Sequence, residues 1–124
     1  MPEFVWNETD FIECLGVIPT VEEHGMAHHF VTHRNGLRLE LSVYQYDAQV
    51  WFSLYREESS HPLFRVGFEN SPGARLVRNR NSQDYIEFAA AKIFGGRYDG
   101  ASVIPMGIRL SVDPDFNIQF FQQL

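Results

Sequence analysis

The stretch His28 to Tyr55, HHFVTHRNGLRLELSVYQYDAQVWFSLY, decides how this chain folds. Asn35-Gly36 stands between two runs in which apolar and polar residues alternate. A type I′ turn holds both central residues at positive φ, which Asn and Gly tolerate best, so the pair predicts a two-residue β-hairpin. Beyond the turn Leu37, Leu39, Leu41 and Val43 fall on one face and Arg38, Glu40, Ser42 and Tyr44 on the other, the period of a half-buried strand. With this turn His33 faces Arg38, Val31 faces Glu40 and His29 faces Ser42. A third strand over 50–56 follows a short break at Asp47-Ala48.

Working outward, the alternation returns over 63–69, with Phe64, Val66 and Phe68 expected inward, and again over the short run 75–79. From Asp84 it continues through Ala90, although Ala89-Ala90-Ala91-Lys92 suits a helix as well as a strand. Ile108, Leu110 and Val112 share one face of a strand over 107–112, and Phe116, Ile118 and Phe120 one face of a strand over 116–121. Ser71-Pro72-Gly73 has the residues of a type II turn, and Asp113-Pro114-Asp115 turns between the last two strands. Toward the N-terminus Phe11, Ile12 and Leu15 share a helical face, with Asp10 or Thr9 as the cap and Gly16 as the stop. Pro2 would start a longer helix. Val17 to Glu22, broken by Pro19, reads as an edge strand.

The fold class expected is therefore α+β. A strongly curved antiparallel meander of about eight strands carries an N-terminal helix packed on it, in a single domain over 1–124. Such a meander has two outcomes with different functions. Covered by its helix, it leaves the other face free for a partner; curled into a barrel, it binds a small apolar or aromatic ligand among its eleven Phe.

The charge is one-sided. Residues 1–33 hold Glu3, Glu8, Asp10, Glu13, Glu22 and Glu23 without one Lys or Arg, so the net charge of -6 belongs to that quarter of the chain. Such a region repels phosphate backbones and steers a basic partner. Arg75, Arg78 and Arg80 are the one basic cluster, but a strand splits them between two faces, and pairing with Glu69, Asp84 or Glu87 accounts for them. No nucleic acid is expected.

Catalytic signatures are missing. The chain has no GxSxG, no Walker lysine and no CxxC pair, so a non-catalytic protein is expected. His24, His28, His29 and His33 have metal-like spacing only if helical, and the hairpin argues against that, setting His29 and His33 on a solvated sheet face; no metal and no cofactor are expected. Cys14 reads as a buried helix cysteine whose thiolate Asp10 and Glu13 disfavour. The pairs Glu57 and Glu58, and Asp113 and Asp115, lie in turns where solvated acids are common. No run of eighteen apolar residues occurs, the opening MPEFVWNETD has no basic stretch before an apolar one, and one cysteine forms no internal disulfide. A cytoplasmic protein that does not enter a membrane is expected.

What remains is a small acidic binding module that occupies a protein partner with a basic surface. In size and charge, though in no motif, the chain looks like immunity or inhibitor proteins that cover a basic active site. The contact residues expected are Glu22 and Glu23, together with Arg97, Tyr98 and Asp99 on the glycine loop Gly95 to Gly100, because Arg and Tyr are common interface anchors. The edge at Val17 to Glu22 is also able to pair with a second copy, which leaves the oligomeric state open.

Overall fold

The computed structural model describes residues 3–80, 83–90 and 97–123. Pro2, Ala91-Lys92 and Gly95-Gly96 lie outside the described residues. Helix α1, Glu8–Leu15, buries Phe11 and Leu15 and ends at Gly16, whose φ of 73° places it in the left-handed region. Its cap is Asn7, not Asp10 or Thr9: the Asn7 side chain accepts the Asp10 backbone N–H at 3.2 Å. The helix thus begins one turn earlier than the apolar spacing alone suggests.

Among the described residues nine antiparallel strands follow, in two ladders. The first has the order β1 (Thr20–Val21), β2 (His28–Arg34), β3 (Leu37–Tyr44), β4 (Gln49–Arg56) and β5 (Phe64–Phe68). The second has β6 (Ala74–Val77), β7 (Tyr85–Ala89), β8 (Met106–Ser111) and β9 (Asn117–Gln122). The β2–β3 turn holds Asn35 at φ 52° and Gly36 at 79°, and pairs His33 with Arg38, Val31 with Glu40 and His29 with Ser42. Leu39, Leu41 and Val43 are buried, as the hairpin requires. The fold is α+β, with one N-terminal helix on antiparallel sheets.

The break between the ladders falls at Ser71-Pro72-Gly73, which is not a type II turn. Gly73 has φ 154° and forms an isolated parallel bridge with Val5. The Val5 N–H donates to the Pro72 carbonyl and the Ala74 N–H donates to the Val5 carbonyl, each at 3.0 Å. A Cβ at position 73 would lie 2.2 Å from the Val5 oxygen, so only glycine admits the N-terminal segment here. Phe4 meanwhile donates its N–H to the Gln45 carbonyl at 2.7 Å, in the β3–β4 connection. Residues 4 and 5 therefore tie the two sheets together, and a contact distant in sequence ends the first meander.

The inner faces of both ladders and of α1 form one core. Phe52 of the first sheet meets Phe88 of the second edge-on at 4.8 Å between ring centroids, and Phe11 of the helix reaches Phe88 at 5.5 Å and Phe30 at 5.8 Å. The Phe52–Phe88 and Phe11–Phe88 pairs are edge-to-face, and such rings at these spacings attract one another beyond the gain from burial. A single barrel closing on itself is thus replaced by two sheets face to face, with phenylalanines filling the space between them. On the edge strand β9, Phe120 pairs with Ile108 and Ile118 with Leu110, which keeps both on one face, and Phe120 is 63% exposed there. No helix among the described residues is long and apolar enough to cross a membrane.

Candidate partner-binding surface

The two residues of β1 follow Pro19, which cannot donate to a ladder, and pair only through Thr20 with His29 and Val21 with His28. The chain then turns through a single 3-10 turn, Glu23–Gly25, with His24 at φ 61° and Gly25 at φ 69°. So short a strand followed by so tight a turn leaves little of the segment under cover. Ile18 is 83% exposed, Val21 and Met26 are exposed in the same stretch of chain as the exposed Glu22 and Glu23, and the exposed Tyr46 comes near Gly25 of the turn. Acidic side chains interleaved with uncovered apolar ones are the make-up of a contact surface, since isolated exposed hydrophobics are ordinary but grouped ones are not.

The hairpin fixes this edge from behind. His29 donates from Nε2 to the Glu22 carboxylate, its Nδ1 lies 2.8 Å from the Ser42 hydroxyl, and its ring stands edge-on to Tyr44 at 6.0 Å. Glu22 is held by a side chain of the neighbouring strand. Deeper, His28 Nε2 lies 2.9 Å from the Glu8 carboxylate with Trp6 edge-on at 4.8 Å, while its Nδ1 is buried without a hydrogen-bond partner among the described residues. His33 Nδ1 donates to Glu57 at 2.6 Å, and His24 lies 3.3 Å from Glu23. Each of the four histidines has its own glutamate. Among the described residues no group of three or more His, Cys, Asp or Glu is placed to hold a metal.

Of the glycine loop, residues 97–100 are described, and their side chains differ in exposure. Arg97 is exposed and reaches Glu3 at 3.7 Å. Tyr98 is only 3% exposed and packs with Ala89 and Ile104, and its hydroxyl donates to the Ser102 carbonyl at 2.7 Å. Burial pushes that phenol up to about 12. Tyr98, expected with Arg97 and Asp99 as a contact residue, fastens the loop from inside with its ring. Asp99 is exposed, but it accepts the Ser102 hydroxyl and the backbone N–H groups of Ser102 at 2.7 Å and Ala101 at 2.8 Å, which pull its carboxyl down to about 2. Among the described residues no hydrogen bond or ion pair joins this loop to Glu22 and Glu23.

Cys14 donates to the Asp84 carbonyl at 3.8 Å, and burial, with Asp84 and then Asp113, raises its thiol to about 11. The direction agrees with the sequence reading; the acids responsible are brought by the fold and are not Asp10 and Glu13. Arg75 pairs with Glu87 at 2.8 Å, and Arg78 with Glu13 at 2.9 Å and Asp84 at 3.7 Å, so the basic cluster is divided as its spacing indicates. Glu87 itself is 1% exposed, a burial that its place between Ile86 and Phe88 concealed. Ile18, Val21, Met26 and Tyr46 were also missed as surface residues; Pro19 was the signal, since it demotes its strand to an edge.

No protein-family model and no curated protein matches the sequence. The fold is similar to that of a chain in a solved structure, the contact-dependent growth inhibition toxin–immunity protein complex from Klebsiella pneumoniae 342. The TM-score is 0.75 over 98% of this chain and 98% of that one, with 14% of residues identical.

Proposed function

We propose that this chain is a single-domain, non-catalytic binding module of the immunity type, which neutralises a protein partner by occupying a basic surface on it. The observation that carries the reading is the likeness, over nearly the full length of both chains, to a member of a toxin–immunity protein complex. Of the two roles in that complex, the immunity role fits an acidic chain of net charge -6. Glu22 and Glu23 supply charge at the exposed edge, and Ile18, Val21, Met26 and Tyr46 supply apolar contact. Arg97 and Asp99 form a secondary contact on the loop, with Tyr98 as its internal fastening. Action in the cytoplasm belongs to the same proposal and suits the free thiol of Cys14.

The test is capture from extract of the protein's own cells on the immobilised chain, compared with the double variant Glu22→Lys, Glu23→Lys. The wild type should retain a basic polypeptide at low salt that the variant loses, because reversing charges at an interface mainly slows association and changes its dependence on salt. Equal capture by both chains, or capture of nothing above background, contradicts the assignment of this edge.

A further inference from the structure

We propose that the outer face of the four-stranded sheet carries a carboxylate-binding groove centred on Arg109. The cross-strand row Arg75, Glu87, Arg109 and Gln119 lies on that face. Glu87, buried, accepts from the Nε of Arg75 and the Nε of Arg109, each at 2.8 Å. One carboxylate between two guanidinium groups leaves one positive charge in excess. Arg75 uses a terminal nitrogen on the Ala101 carbonyl at 3.1 Å. Arg109 does not: its guanidinium lies 4.2 Å from the Phe121 ring centroid and 5.5 Å from that of Tyr85, and its two terminal nitrogens have no hydrogen-bond partner among the described residues.

Arg109 lines an open groove of about 430 Å³ together with Gln83, Ser111, Asn117 and Gln119. The Ser111 hydroxyl donates to Gln83 Oε1 at 2.7 Å, which leaves the Gln83 amide N–H groups unused. Among the described residues no carboxylate lines the groove, in a chain where acids outnumber bases sixteen to ten. A guanidinium with its Nε side fixed by a buried acid and its faces held by rings keeps its terminal fork in one geometry, which suits bidentate recognition of a planar carboxylate. The surrounding amides then bond the ligand's neighbouring polar groups. The carboxylate belongs either to a free small acid or to an acidic peptide. The site is on a different sheet from the acidic edge and does not depend on the partner proposed there.

The test is a titration of the full ¹⁵N-labelled chain followed by NMR at the Arg109 Nε–H and the Asn117 and Gln119 side-chain amides. Glutarate and a tetraglutamate peptide are the two probes, with inorganic phosphate and chloride at matched ionic strength as comparisons. Saturable changes at these resonances with a carboxylate are expected, and the tighter of the two probes identifies the source. Arg109→Lys keeps the charge beside Glu87 but loses the fork, and should weaken binding by about tenfold or more. If that variant is misfolded, Asn117→Ala, at an exposed edge position, should still weaken binding. Changes that do not saturate or that chloride reproduces, phosphate binding as tightly as both carboxylates, or affinity unchanged in every folded variant would each overturn the proposal.

Discussion

Replacing Phe88 by Ala separates a packed sandwich from a sheet that encloses a ligand cavity. Phe88 is fully buried and its ring touches Phe52 of the opposite sheet at 4.8 Å and Phe11 of the helix at 5.5 Å, so truncation opens a void where three elements meet. Phe→Ala in a closely packed core costs about 3–5 kcal/mol, from lost burial and from the cavity left behind. Stability of roughly 0.05–0.15 kcal/mol per residue gives about 6–19 kcal/mol over 124 residues, so the variant should fold but with a large part of its margin gone. With a urea slope near 2 kcal/mol per molar, a loss of about 4 kcal/mol lowers the unfolding midpoint by about 2 M. Trp6, 4.8 Å from Phe11, provides the fluorescence signal. Phe120→Ala, on the same ladder but 63% exposed, is the control and should stay within about 0.5 kcal/mol of wild type. A Phe88→Ala loss below about 1 kcal/mol, or a Phe120→Ala loss as large as that of Phe88→Ala, would refute the reasoning, since removing a ring from the wall of an existing cavity only enlarges it.

Other outcomes follow from single contacts. Gly73→Ala places a Cβ 2.2 Å from the Val5 backbone oxygen, which no rotamer change relieves; a loss of about 1–3 kcal/mol and red-shifted Trp6 emission are expected in the same urea titration, and unchanged emission would contradict the bridge. Cys14, with its thiol raised from 9.0 to about 11, holds far less thiolate at pH 8 than the unfolded chain does, and should react with iodoacetamide at least about tenfold more slowly; equal rates would contradict its burial beside Asp84. Asp99 has a folded-state value lowered from 3.8 to about 2, so what its carboxylate contributes to the loop is present above about pH 4 and is lost as pH falls toward 2. Its ¹³C carboxyl resonance should titrate with a midpoint near 2; a midpoint near 4 would mean that the Ser102 and Ala101 bonds do not form in solution.

The sequence made the local structure legible and left the nonlocal structure hidden. Asn35-Gly36 and the leucines after it predicted the hairpin, its register and its buried face, because turn chemistry and side-chain alternation are both set by neighbours. Ser71-Pro72-Gly73 misled because Pro and Gly are turn residues, whereas this glycine is required by Val5, a residue far away in the chain. Glu87 misled for a related reason. A charged residue between Ile86 and Phe88 reads as solvent-facing, and on this sheet the outward face is itself occupied by Arg75 and Arg109, with the Tyr98 loop beside them. The charge of Glu22 and Glu23 was legible in a quarter of the chain without bases, and the exposure of Ile18, Val21 and Met26 was not, since exposure depends on what the two-residue β1 fails to cover.

The proposed silencing of a basic partner by the acidic edge is tested by taking the polypeptide captured by the chain, measuring that polypeptide's own activity, and adding purified chain in increasing ratio. Suppression complete at one chain per partner molecule is expected, and it should be lost when Glu22 and Glu23 are both replaced by Lys. A partner that binds while remaining fully active, or that is suppressed equally well by the charge-reversed chain, would contradict it.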